Sequence, residues 1–436
     1  MTTRTLPAAA YEKLTASVAR DTGDRRGAAL WIHAAGLVRH AQEHGLLPDS
    51  SPAPGADGLR KSLEILASCH PALAALTDPR VLPVWSQMLG ETAWESINTF
   101  WERHPTLEDE HRIDGYALGD TYQLLSDDAR KGRALCQTPP WIARLLLRLS
   151  LEPAMDEWGP TSTRMIDPAC GTGHIVMAAF HMARVPPIHG RGSAPAAHGR
   201  QALERALAAV TGIDLDPYAA ALTAYRLLAS CATILRTPLE RLPSSWPVNV
   251  AAADSLLARD EPLLAAGTYH ACVANPPYIT PKDPVVRDRV RAAYPQVASG
   301  KYSLALPFTA LMLDHLAVPG GFVAQLTSNS FMKREFGRRY VTEFLPRFDA
   351  RWIIDTSGAY IPGHGTPTCI LVHRARPPVG DTVTVIRGNR GEPHVPEDPA
   401  RGLVWRAIED AVDSRLAWDR FQAGADLARR DGDPTH

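Results

Sequence analysis

The segment Asp167-Pro168-Ala169-Cys170-Gly171-Thr172-Gly173 constrains this 436-residue chain more than any other. It lies between a short strand predicted over Thr163–Ile166 and a helix predicted over His174–Arg184. Glycines at a strand-to-helix turn let backbone approach a ligand closely and aim the helix N-terminus at it. The leading Asp167 is placed to meet an ammonium or a ribose group. Acidic residues also follow the next two strands: Asp214 closes Thr211–Asp214, and Asp254 comes after Val248–Ala253. An acid ending the second strand is where Rossmann-like sheets hold a ribose diol. Asp216 reads instead as the N-cap of the following helix. Each acid alone is as readily a cap as a ligand group; all three at successive strand ends line one face of a sheet.

From Thr138 onward, short apolar runs alternate with helices, the pattern of βαβ units around a parallel sheet. Further helices are predicted over Gln201–Val210, Tyr218–Leu235, Leu304–Leu316 and Phe336–Phe348. Further strands are predicted at Ala271–Ala274, Phe322–Thr327, Trp352–Asp355 and Thr368–His373, the last two at the far edge. About seven strands suffice for one doubly wound α/β domain. Residues 1–118 read as a helical N-terminal domain broken by the Pro/Gly/Ser linker 48–58, with Trp85, Trp94 and Trp101 as packing residues. Residues 119–376 form the α/β domain, in which Pro186–Arg200 is a flexible insertion. Residues 377–436 read as an irregular C-terminal extension, and the tail from Arg376 carries nine Lys/Arg against eleven Asp/Glu.

Composition removes several function classes. Hydrophobic residues at 45% and charged residues at 21% suit a globular chain with a real core. A formal net charge of −1 excludes a histone-like binder, so contact with nucleic acid needs a local basic patch. No apolar run is long enough for a membrane span, and the N-terminus lacks a secretory pattern, so a cytoplasmic protein is expected. The six cysteines are scattered without a CxxC pair, which points to reduced thiols rather than zinc or disulfides.

A second motif, Asn275-Pro276-Pro277-Tyr278, follows the strand ACVA. Bland reading makes it a Pro-rich turn. Consecutive prolines withdraw two N–H donors and leave carbonyls exposed. An Asn side-chain oxygen and the Pro276 carbonyl can accept both N–H groups of an exocyclic adenine amine, and Tyr278 offers a stacking face for a flipped base.

DPACGTG and NPPY together resemble S-adenosylmethionine-dependent amino-methyltransferases acting on DNA adenine. The segment QTPPWIARLLL (137–147) looks like the piece that closes over the methionine end of the cofactor, and its position before the Gly turn is similar to the gamma class. GDTYQLLSDDARKGRALCQTPP, NPPYITPKD, GKYSLALPF, SNSFMKREFG and IDTSGAYIPGHGTPTCILV resemble the PglX family of phage growth limitation (BREX-type) systems, from about Gly119 to Ile408. The resemblance implies a Rossmann-like, doubly wound methyltransferase sheet with an N-terminal helical domain. It implies S-adenosyl-L-methionine held by Thr138, Pro139, Asp167, Ala169, Gly171, Gly173, Asp214 and Asp254. Of these, Asp214 would take the ribose hydroxyls and Asp254 the cofactor's adenine N6. The catalytic loop is Asn275, Pro276, Pro277 and Tyr278.

The implied activity is site-specific methylation of adenine N6 in DNA, in phage defence or restriction-modification. The implied partners are double-stranded DNA with a flipped adenine and proteins of the defence system, without metal or membrane. Cytosine-C5 enzymes need a Pro-Cys at this loop, so Cys170 and Cys272 read as packing residues. Lys282, Arg287, Arg289, Arg291 and Lys301, and separately Lys333, Arg334, Arg338 and Arg339, are candidate contacts to DNA phosphates; each cluster alone reads equally well as a solvated helix face. His364 is left out of the site. Only about 60 residues follow the last predicted strand, so the target-recognition region of such enzymes is expected to be truncated or absent: the chain is a truncated piece, a short paralogue, or a protein that borrows specificity from a partner. Two other readings stand beside this one. NPPY also serves enzymes that methylate protein glutamine or RNA amines, and a non-autonomous, cofactor-binding subunit of a defence complex would keep the same fold.

Overall fold

The computed structural model describes residues 8–48, 55–104, 115–125, 137–185, 199–362, 366–388 and 390–431, through which one eight-stranded sheet runs. In chain order the strands are β1 (Met165–Asp167), β2 (Val210–Asp214), β3 (Asn249–Ala252), β4 (Tyr269–Ala274), β5 (Ala317–Ser328), β6 (Asp349–Asp355), β7 (Thr368–Arg374) and β8 (Thr384–Ile386). Their spatial order is β3-β2-β1-β4-β5-β7-β6-β8. Strands β1 to β5 pair in parallel, β7 runs antiparallel between β5 and β6, and β8 lies parallel to β6. The order reverses between β1 and β4. At such a switch point, connections leave to opposite faces and open a crevice beyond the carboxyl ends of the strands.

Side-chain alternation divides the core between the two faces of the sheet. Ala271 and Val273 of β4 join one apolar cluster, and Cys272 and Ala274 join the other, with Tyr269 also in the second because the register shifts between it and Ala271. The first cluster holds the helices His174–Arg184 and Pro217–Leu235 and reaches from Tyr11 to Val412. The N-terminal helices therefore share their core with the sheet. Helix Arg25–Glu43, capped by Asp24 accepting from the Gly27 N–H at 2.6 Å, docks on Pro217–Leu235 through two buried pairs. His33 Nδ1 meets the Tyr218 hydroxyl at 2.7 Å, and His40 Nδ1 meets the Tyr225 hydroxyl at 2.8 Å. Both partners recur after seven residues, two helical turns, which keeps the contacts on one face. Burial lowers His33 to about 4 and His40 to about 3, so both rings are neutral and bond as uncharged groups. Pro217–Leu235 is long and apolar enough to cross a membrane, but 83% of its apolar window is packed inside the protein.

Several elements differ from expectation. The strand β8 and the 29-residue helix Leu403–Asp431 occupy a tail that reads as irregular in sequence. The helix buries Trp405, Ile408 and Val412 near its start, with Val404 and Leu416 partly buried beside them, a stripe too short to stand out among the surrounding charges. Strand β7 is an interior strand, and β8 forms the edge. Phe336–Phe348 is a chain of short 3₁₀ and π turns, because Pro346 cannot continue a helix and Gly337 lies against the Phe331 backbone. Leu304–Leu316 splits into an α-helix over Ala305–Leu311 and a π turn over Met312–Leu316. Linker residues 49–54, insertion residues 186–198, Cys136 and His364 lie outside the described residues.

Gly36 sits where a Cβ would overlap the Trp101 ring, so helix Arg25–Glu43 can approach helix Glu91–Arg103 only with glycine there. Gly36→Ala is expected to lower unfolding free energy by roughly 1–3 kcal/mol in chemical denaturation, the usual cost of overpacking.

Candidate active site

The Gly turn is built from below by helix Pro217–Leu235. Gly171 and Gly173 have φ of 55° and 88°, and a Cβ on Gly173 would come within 2.6 Å of Thr223 Cγ2. The Thr223 hydroxyl donates to the Gly171 carbonyl at 3.1 Å, and Arg226 Nη1 donates to the Thr172 carbonyl at 2.6 Å. The Cys170 N–H donates to the Ile213 carbonyl at 2.9 Å, tying the turn to β2.

Each acidic strand end is then clamped. Asp214 accepts the Gly171 N–H on Oδ2 and the Asp216 N–H on Oδ1, both at 2.8 Å. Asp216 caps its helix by accepting the Tyr218 N–H at 3.0 Å, and it also accepts the Tyr122 hydroxyl at 2.8 Å. Asp167 accepts the Ala169 N–H at 3.0 Å, and Asp254 the Leu256 N–H at 3.1 Å. The Ser255 hydroxyl donates to the Pro168 carbonyl at 2.6 Å, joining the loop after β3 to the turn after β1.

These loops enclose a cleft of about 350 Å³. Thr138, Asp167, Ala169, Gly171, Asp214 and Asp254 line it together with Asn275, Pro277 and Lys282. Ile279, Val286, Leu304 and Phe308 form an apolar wall. Four residues of the expected site are not on the lining. Pro139 is the N-cap of helix Pro140–Arg148, and Gly173 is the left-handed N-cap of helix His174–Arg184. Pro276 is buried. The Tyr278 hydroxyl folds back and donates to Asn275 Oδ1. Asn275 Nδ2 donates to Thr138 Oγ1 at 3.1 Å, so both ends of the amide are held.

The electrostatics of the cleft are unbalanced toward negative charge. Burial, and secondly the nearby Asp214 carboxylate, pushes Asp167 up to about 8. Asp167 is 1% exposed. Burial also raises the Cys170 and Cys272 thiols well above their ordinary range, which makes neither a nucleophile at neutral pH.

The two basic clusters come together beside the cleft. Helix Pro284–Ala293 carries Arg287, Arg289 and Arg291, while its Val286 and Val290 face the cleft. Lys301 of the first cluster shares a second hollow, of about 700 Å³, with Arg334, Arg338 and Arg339 of the second. Arg291 pairs with Asp288 at 2.6 Å, Arg338 with Glu335 at 3.9 Å and Arg339 with Glu343 at 3.0 Å. Among the described residues, Lys282, Arg287, Arg289, Lys301, Lys333 and Arg334 take part in no ion pair.

Sequence reasoning missed the residues that support this geometry. Gln137 Nε2 donates to Thr172 Oγ1 at 2.7 Å and to the Gly119 carbonyl at 3.3 Å. Tyr122 and Ser255 act in the same supporting way. A lone Arg226 inside the apolar run ALTAYRLLAS was a readable signal, because a buried arginine needs acceptors. Tyr122 left none.

Comparison with known proteins bears on the motifs and the fold. Residues 208–361 match the family described as Eco57I restriction-modification methylase. Over 354 residues, 72% of the chain, it is 38% identical to the adenine-specific methyltransferase PglX of Streptomyces coelicolor (strain ATCC BAA-471 / A3(2) / M145), which bears out the resemblance seen in the motifs. The chain spans 29% of that relative's length. Among solved structures, a modification subunit of a putative type I restriction enzyme from Vibrio vulnificus YJ016 superposes with a TM-score of 0.55 at 12% identity, covering 95% of this chain and 90% of the other. The Type IIL restriction-modification enzyme MmeI, solved in complex with DNA, superposes with a TM-score of 0.57 at 12% identity, covering 89% and 60%. At these identities the two structures establish the fold.

The raised Asp167 makes a sign-specific expectation. The native state binds its proton up to about pH 8, whereas the unfolded chain releases it near the ordinary carboxylate value. Stability contributed by this group is therefore full at acid pH and falls as pH rises toward 8. Asp167→Asn is expected to raise the melting temperature by a few degrees relative to wild type at pH 8 and by much less at pH 5, read by calorimetry of the ligand-free protein.

Proposed function

We propose that this cleft binds S-adenosyl-L-methionine and that the chain transfers its methyl group to adenine N6 in DNA, within a restriction-modification or phage-defence system. The observation that carries the reading is that Asn275 and the three strand-end carboxylates Asp167, Asp214 and Asp254 meet on one cleft. The donor set fits the cofactor. A buried carboxyl that resists ionisation beside a second carboxylate favours a cationic ligand, and this one carries a sulfonium and an ammonium. Asp214 accepts the Gly171 and Asp216 N–H groups, which fix its carboxylate at the cleft wall where the ribose hydroxyls would sit. Asp254 is set to accept the adenine amine, with Leu215 and Leu256 giving the ring an apolar surround.

The cofactor supplies an electrophilic methyl group; the chain supplies placement. Asn275 Oδ1 and the Pro276 carbonyl accept the two N–H groups of the target amine and turn its lone pair outward. Tyr278 stacks on the extruded base. Such a reaction gains most from positioning and from water exclusion, which the wall of Ile279, Val286, Leu304 and Phe308 provides. The unpaired Lys282, Arg287, Arg289, Lys301, Lys333 and Arg334 take the DNA phosphates. Support for DNA adenine over protein or RNA amines comes from the relative described as an adenine-specific methyltransferase and from this basic surface beside the cleft.

The test is incubation of the purified protein with labelled S-adenosyl-L-methionine and genomic DNA free of N6-methyladenine, followed by nucleoside mass spectrometry. Label in N6-methyladenine is expected, with a loss of roughly a hundredfold or more in Asn275→Ala. Label appearing only in RNA or protein, or nowhere, would overturn the reading. Binding of duplex DNA should also weaken with salt, and Lys301→Ala combined with Arg334→Ala should reduce the slope of log affinity against log salt by roughly 1 for each phosphate that is no longer neutralised.

A further inference from the structure

The strand-end loops position the cofactor side of the cleft, but the amide of Asn275 also has to be oriented. Rotated by half a turn, it would present N–H donors to an amine that needs acceptors. Asn275 Nδ2 donates to Thr138 Oγ1 at 3.1 Å, and the Tyr278 hydroxyl donates to Oδ1. Thr138 is 5% exposed, and the residue before it, Gln137, is bonded to Thr172 of the Gly turn at 2.7 Å. The hydroxyl thus sits at a place set by the same turn that shapes the cofactor side.

We infer that Thr138 is a positioning residue for Asn275, holding the amide nitrogen so that Oδ1 faces the target amine, rather than chiefly a cofactor ligand. The inference rests on the amine-transfer reading of the same cleft. In the resting protein the Tyr278 hydroxyl occupies Oδ1. An entering base takes that acceptor for its own N–H, and Tyr278 is released to stack. Throughout, the Thr138 tie persists and the amide nitrogen stays paired. Replacing the hydroxyl by a methyl takes this acceptor from the half-buried amide nitrogen whenever the amide is in its productive orientation.

Three forms test this: wild type, Thr138→Val and Thr138→Ser. With saturating S-adenosyl-L-methionine and N6-methyladenine-free genomic DNA, the single-turnover rate is expected to fall roughly tenfold or more in Thr138→Val and to return to within about threefold of wild type in Thr138→Ser. Calorimetric affinity for S-adenosyl-L-homocysteine should change by less than about twofold in both. A tenfold loss of that affinity, with a wild-type rate at saturation, would make Thr138 a cofactor ligand and overturn the inference. A readout independent of turnover is the Asn275 side-chain amide resonance in ¹⁵N-labelled protein, assigned by its absence in Asn275→Ala. Its N–H signal should shift upfield in Thr138→Val and not in Thr138→Ser. An unmoved signal overturns the inference. Wild type that moves no methyl to DNA refutes the functional reading while this signal still decides the tie.

Discussion

The hydrogen bond from the Gly171 N–H to the Asp214 carboxylate, 2.8 Å long, joins the end of β2 to the turn after β1, and the rest of the cleft depends on it. It holds the Gly turn open at a left-handed φ and aims Asp214 across the carboxyl edge of the sheet. It also couples two helices: His174–Arg184 begins at the turn, and Pro217–Leu235 begins just beyond the Asp216 backbone that Asp214 holds. Thr223 and Arg226 on the second helix return bonds to the turn, closing a ring of contacts around the glycines. Loss of that carboxylate would remove the acceptor of both the Gly171 and the Asp216 N–H.

The N-terminal helices serve this arrangement as well as covering the sheet. Tyr122 reaches Asp216 from helix Tyr116–Leu125, and Gly119 of the same helix leaves no room for a Cβ against Thr172. The paired His–Tyr contacts hold helix Arg25–Glu43 to the far side of Pro217–Leu235. The layer that carries no chemistry of its own in sequence therefore buttresses the helix on which the turn is built.

What was legible in the sequence had local causes. The strand, Gly turn and helix at 163–184 were readable because periodicity and glycine chemistry both act within a few residues. Asp216 as a cap was readable for the same reason. Asp214, Asp254 and Asn275 reach one cleft because parallel strands deliver their ends to one edge, so topology inferred from alternation was enough to group them. The ties between Thr138 and Asn275, Tyr122 and Asp216, and Ser255 and Pro168 span 137, 94 and 87 residues, and no local pattern encodes such pairs. The C-terminal helix escaped because three buried residues in its first turns hold a long charged element. The break-up of 336–348 followed from Pro346 and Gly337, both visible in the sequence but outweighed by the apolar spacing around them.

Burial and the nearby Asp214 carboxylate raise the cost of charging Asp167 in the ligand-free protein, and a cationic nucleoside is the ligand proposed for the cleft. The most direct measurement is calorimetric titration of S-adenosyl-L-methionine into the wild-type protein and into Asp214→Ala, at a temperature where circular dichroism shows both folded. One-to-one binding to wild type, weakened tenfold or more in the variant, is the expected result. Absence of binding to the folded wild-type protein, or equal affinity in both, would contradict the assignment of the cleft.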